Sequence, residues 1–226
     1  MAESPVQSLE SIAILAVPVI IAITLHEAAH GYVARFFGDD TAEKAGRISL
    51  NPLRHIDPVG TIVLPALLLL AHTGILFGYA KPVPVNFARL NHPKQDMVWV
   101  AAAGPAMNLL LAAFSVALIY VPSVLGFSPH GATLELLWGS VQVNLMLAIF
   151  NLLPIPPLDG GRVAVGLLPL PLAKPLAQLS RFGLLLVIVI FLVLPYAGID
   201  LFHWLVELPV QFLERPIVDL LRSSLH

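Results

Sequence analysis

Cysteine is absent from the 226 residues. No disulfide framework and no thiolate metal site is therefore available, and any metal must be held by His, Asp or Glu. Charge is scarce as well. Asp, Glu, Lys and Arg make up 12% of the chain, about half the share usual in a soluble domain. The net charge is −2 and no basic tract occurs, which argues against a nucleic-acid partner. No internal repeat is visible, and the length suits one compact domain, residues 1–226, without room for a second globular one. The first ten residues, MAESPVQSLE, lack the basic start and small-residue cleavage site of a secretory leader. The first apolar span is accordingly expected to stay and anchor the chain.

What the chain has instead is apolar length, with 58% hydrophobic residues. Spans long enough to cross a bilayer are expected at residues 8–37, 97–121 and 134–153, with the core of a fourth at 182–194. These predict an all-α polytopic membrane protein, a transmembrane helix bundle with its core at residues 8–197. The remaining tail, 199–226, mixes apolar residues with Glu207, Glu214, Arg215, Asp219 and Arg222. It reads as an amphipathic, interfacial segment. Residues 75–87 read as extended chain, because Pro82 and Pro84 forbid helix, and a short extended hairpin region is expected between the first two full spans.

Charge placement bears on residues 60–78, which are apolar but interrupted by Pro65. Lys44, Arg47, Arg54, Lys81, Arg89, Lys94, Arg162, Lys174 and Arg181 all fall on one side if this segment is re-entrant. The loop at 122–133, free of Lys and Arg, then lies on the other side. The positive-inside rule prefers that arrangement and makes the cation-rich side cytoplasmic.

Inside the first span stands His26-Glu27-Ala28-Ala29-His30, an H-E-x-x-H run. An ionisable group at mid-bilayer is costly, roughly 2.5–3.5 kcal/mol on the insertion scale. Three within five residues call for a compensating partner. On a helix His26 and His30 face the same way one turn apart and can share a metal ion, with Glu27 beside it as a general base. A catalytic zinc site needs a third protein ligand. Glu43 and His55 lie in a polar loop without a helix to place them, whereas Asp159 sits in PIPPLDGG at the inner end of an apolar span. There its carboxylate is hard to explain without a cation. The prolines break helical hydrogen bonding, and the glycines are expected to permit dihedrals that turn the carboxylate inward. Asn108 and Gly104 read as a helix-packing notch as readily as a substrate contact. His72, His92, His130 and His203 read as ordinary interfacial histidines.

HEAAH, AAAGPAMN at residues 101–108 and NLLPIPPLDGG at 151–161 together resemble the site-2 protease family of intramembrane zinc metalloproteases. GRISLNPLRHIDPVG and YAKPVPVN resemble its compact prokaryotic branch, without PDZ or CBS domains. The resemblance implies one zinc ion held by His26, His30 and Asp159, with Glu27 as the base and Asn151 helping to bind substrate or the oxyanion. It implies cleavage within or near the transmembrane segments of other membrane proteins (regulated intramembrane proteolysis), in the prokaryotic cytoplasmic membrane with the active site toward the cytoplasm. The expected partners are the lipid bilayer and substrates with a transmembrane helix. Two other readings use the same residues: a metal transporter with a His/His/Asp transit site, and a catalytically inactive relative that binds helices.

Overall fold

The computed structural model describes residues 5–63, 66–67, 70, 80–127 and 129–223. Its elements are α1 (Pro5–Phe36), a one-turn α2 (Thr41–Lys44), α3 (Pro93–Val124), α4 (Ala132–Leu152), α5 (Asp159–Leu167), α6 (Leu170–Leu179), α7 (Gly183–Ile188) and α8 (Leu208–Ser223). Among the described residues there is no strand. Four stretches are long and apolar enough to cross a membrane: Ala16–Phe36, Pro93–Val124, Ala132–Leu152 and Leu170–Ala197. They match the four expected spans. The last is composite, running from α6 through α7 into π and 3-10 turns that end at Ala197.

Burial is inverted relative to a soluble protein. Asn108, Asn144, Thr24 and Ser115 are buried, while Trp99, Leu110 and Phe114 are exposed by 60% or more. Polar groups inside and large apolar groups outside are what a hydrocarbon solvent demands. The protein is an all-α polytopic membrane protein.

α3 is the central helix, packing against α1, α4 and α5. α1 ends in a Schellman turn: Gly38, at φ +99°, donates to the Arg35 carbonyl and Asp39 donates to that of Ala34. The Asn91 amide donates to the Phe37 carbonyl at 2.8 Å, so the end of α1 and the start of α3 meet. The path between them at residues 64–79 falls mostly outside the described residues, and the re-entrant reading of 60–78 with it. Residues 80–86 are non-helical, as the two prolines require. No hairpin partner exists for them among the described residues. They are pinned from several sides instead. Arg47 donates to the carbonyls of Lys81 (2.8 Å) and Pro82 (3.3 Å), and the Lys81 amide donates to the His55 carbonyl. The Asn86 amide donates to Asp39 Oδ2 at 2.6 Å. The tail forms α8, whose Val210 and Ile217 pack on Ala112, Val141 and Leu145 while Phe212 is exposed.

Asp39 is fully buried and accepts from the amides of Thr41 and Asn86 and from the Thr41 hydroxyl. Asp39→Ala should strand those donors and cost about 1–3 kcal/mol of stability. Asp39→Asn, which keeps one acceptor oxygen, should cost less. Thermal unfolding of the detergent-solubilised protein measures both, and equal loss from the two variants would contradict the acceptor role.

Candidate metal centre

His26 and His30 lie within the unbroken helix α1, one turn apart on the face toward α3. Asp159 arrives from the opposite direction as the first residue of α5. Between α4 and α5 the chain turns through 153–158, with a cis Pro156–Pro157 bond. Gly160 and Gly161 were expected to supply unusual dihedrals, but neither has a positive φ. Their role is close approach. A Cβ on Gly160 would collide with the Leu152 carbonyl, and one on Gly161 would lie 2.6 Å from the Pro156 nitrogen. Gly160 lets the first turn of α5 press against the end of α4, and Gly161 lets it fold back on the Ile155–Pro156 turn, which brings Asp159 to the histidines.

Ligand atoms of His26, His30 and Asp159 all lie within 4.8 Å of one another, and the three residues are buried. Nε2 of His26 is 3.1 Å from Nε2 of His30 and 3.1 Å from Asp159 Oδ2, and His30 Nε2 is 3.3 Å from that oxygen. Tetrahedral zinc with bonds of 2.0–2.1 Å separates its ligand atoms by roughly 3.3 Å. The spacing fits.

Hydrogen bonding at the far side of each ring decides which nitrogen is free. His26 Nδ1 donates to Asn108 Oδ1 at 2.5 Å, and His30 Nδ1 donates to the Val100 carbonyl at 2.7 Å. The amide nitrogen of Asn108 donates to Asn144 Oδ1 (2.8 Å) and the Ala22 carbonyl (3.3 Å), which leaves its oxygen to face His26. Asn144 in turn donates to the Ser140 carbonyl at 2.8 Å. Both imidazoles thus carry hydrogen on Nδ1 and point the Nε2 lone pair inward. With neutral imidazoles, three electron-pair donors converge, an arrangement that suits a cation. Gly104 on α3 leaves the room. A Cβ there would stand 2.5 Å from Nε2 of both histidines.

Glu27 sits beside this group and is partly buried, its Oε2 accepting the Val83 amide at 2.8 Å. A cavity of about 520 Å³ opens over it, lined by Glu27, Val83, Phe87, Asn151, Asp159 and Arg162 among others. Asn151 donates one amide hydrogen to the Leu147 carbonyl of its own helix at 3.0 Å, and among the described residues its other amide hydrogen has no partner. Glu43 pairs with Arg35 at 2.9 Å, and buried His55 contacts the Ser49 carbonyl at 2.9 Å. Neither joins the His26–His30–Asp159 group. Asn108 as the partner of His26, Gly104 as the source of space and the Val83 amide on Glu27 were not foreseen. The only sequence signal for the first was an amide inside an apolar span.

Gly104→Ala should push the two rings apart and lower bound zinc from about one per chain toward none, with helix content retained. Asn108→Leu should weaken zinc binding about ten- to a hundredfold by releasing the His26 ring. Chelator competition on purified protein checks both, with Glu43→Ala expected at wild-type affinity. Wild-type affinity in Gly104→Ala would show that the ion does not sit between the rings.

The model of peptidase family M50 matches residues 127–195. YwhC of Bacillus subtilis, named as a zinc metalloprotease, is 40% identical over 78% of this chain and 79% of its own length. Rip2 of Mycolicibacterium smegmatis, named likewise, is 33% identical over 86% of this chain and 71% of its own. The same name is carried by a Mycobacterium tuberculosis protein 32% identical over 84% and 71%. No solved structure matches the chain. These likenesses decide against the transporter reading. The chain belongs to peptidase family M50, the site-2 protease family, and is a membrane zinc metalloendopeptidase.

Proposed function

We propose that this protease hydrolyses peptide bonds within or near the transmembrane segments of other membrane proteins. We assign zinc to His26, His30 and Asp159, and the general base to Glu27. The observation that carries the reading is the burial of three converging ligand atoms, with Glu27 beside them, among helices whose outer faces are apolar. Zinc bound there would act as a Lewis acid, lowering the pKa of water and polarising the scissile carbonyl. Glu27 takes a proton from the attacking water. It returns that proton to the amine nitrogen as the C–N bond breaks. The free amide hydrogen of Asn151 can contact the oxyanion of the tetrahedral adduct. His26 and His30 are kept in one tautomer by Asn108 and Val100 throughout.

A helical substrate hides its carbonyls in i→i−4 bonds and must unwind before it can be cut. Pro82, Val83 and Val85 line the cavity on a non-helical segment, and an unwound peptide could lie along them as an added strand. We place the site toward the cytoplasm. Cations of separate segments gather at one end of the bundle: Arg47 on Lys81 and Pro82, Arg89 on Asp40, and Lys94 on the Leu168 carbonyl. By the positive-inside rule that end stays in. The whole chain is read as one catalytic domain, with α8 as an interfacial tail.

Glu27→Gln keeps size and removes the basic oxygen. Incubated with candidate single-span proteins, it should retain zinc and bind substrate while losing cleavage by at least a hundredfold, since general base catalysis contributes about 10²–10⁴. Cleavage at the wild-type rate would remove Glu27 from the mechanism.

Topology is open to single-cysteine labelling, because the chain has no cysteine of its own. Cysteines at Ser49, Asn91 and Gln178 should react only from the cytoplasm, and one at Phe127 only from outside. Opposite sidedness of Ser49 and Asn91 would refute the placement.

A further inference from the structure

Among the described residues, Arg162 is the one arginine or lysine lining the cavity over the His26–His30–Asp159 group. It stands one helical turn after Asp159 on α5. Its Nη1 lies 3.6 Å from Asp159 Oδ1, the oxygen turned away from the histidines. The guanidinium also sits over the Phe87 ring, 5.5 Å from its centroid. The two oxygens of Asp159 are thus divided: Oδ2 faces His26 and His30, and Oδ1 faces a cation. Phe87 belongs to the 3-10 turn Phe87–Arg89 that closes the non-helical segment, so it approaches Arg162 from outside α5.

We infer that Arg162 is a positioning residue for the metal: it holds the outer oxygen of Asp159 so that the carboxylate offers a single oxygen to the ion, with Phe87 keeping the guanidinium in place. This rests on the assignment of Asp159 as a ligand. The physical basis is general. A carboxylate with both oxygens free can rotate about its Cβ–Cγ bond or swing to bind through both. A cation on one oxygen removes that freedom and sets the denticity. Ligand partners beyond the first contact with the ion commonly contribute ten- to a hundredfold to metal affinity. The planar fork of arginine and its stacking on an aromatic face suit it to the task better than the point charge of lysine. The structural alternative, an ordinary surface i,i+3 pair, would contribute little and would not touch the metal.

The test uses the full chain in detergent, with zinc as the probe in competition against a chromophoric chelator. Arg162→Gln should weaken zinc binding about ten- to a hundredfold, with helix content and zinc-free thermal stability close to wild type. Arg162→Lys should recover part of that affinity, and Phe87→Leu should weaken binding in the same direction but less. Cleavage by Arg162→Gln should then be poor at limiting zinc and climb as zinc is added. Wild-type zinc affinity in Arg162→Gln overturns the inference. So does cleavage that stays lost at saturating zinc, because Arg162 would then act on substrate. The two readings fail separately. A wild-type chain that binds zinc but cuts no membrane protein sinks only the proteolytic reading, and one that binds no zinc sinks both.

Discussion

Three buried lone pairs that face one another within about a van der Waals contact are the constraint on which the rest of this molecule depends. Nε2 of His26, Nε2 of His30 and Oδ2 of Asp159 stand 3.1–3.3 Å apart. In a low-dielectric interior, uncompensated like partial charges at that range are strongly unfavourable. A divalent cation held there would reverse the sign of the interaction. Several local features make sense only as support for that geometry. Gly104 keeps a side chain out of the space, Gly160 and Gly161 allow α5 to reach it, and Asn108 with the Val100 carbonyl aims the rings.

The support extends further than the ligands. From His26 a run of buried amides passes through Asn108 and Asn144 to Ser140, where Ser115 closes it with a hydroxyl contact of 2.8 Å. Each member satisfies the next, so α1, α3 and α4 are tied together by polar contacts where there is no hydrophobic effect between helices to hold them. The His26–His30–Asp159 group and the helix packing therefore share one network. A change at Asn144, far from the chemistry in sequence, reaches the His26 ring through a single intervening side chain.

At the other end of the bundle, polar loops do a different job. Asp39, Arg47 and the His55 carbonyl fasten residues 80–86 across the mouth of the cavity, and the Val83 amide meets Glu27. One hydrogen bond thus joins the non-helical cavity wall to the Glu27 carboxylate. Around them, Lys44 hydrogen-bonded to Asp40 holds that carboxyl below its usual range, and Arg89 adds to the effect.

Hydropathy and spacing made much of this legible. Four apolar runs prescribe four spanning helices because a bilayer offers no other partner for backbone N–H and C=O groups. The i, i+4 spacing of His26 and His30 already puts two ligands on one face, since helix geometry alone sets that distance. Asp159 stands out because a carboxylate at the inner end of an apolar span is hard to explain without a cation. What one-dimensional reading missed was whatever depends on contact between elements distant in sequence. Asn108 reads from sequence as a packing residue or a substrate contact, whereas α3 places it on the His26 ring, 82 positions away. Gly160 and Gly161 read as sources of unusual dihedrals, yet they serve the close approach of α5 to the end of α4 and to the Ile155–Pro156 turn. The sequence by itself determined which residues are able to hold a metal, because that follows from their chemistry and helical period. Only the tertiary structure decided which nitrogen of each ring is free and which oxygen of Asp159 faces it, because tautomer and rotamer are set by neighbours that no local pattern records.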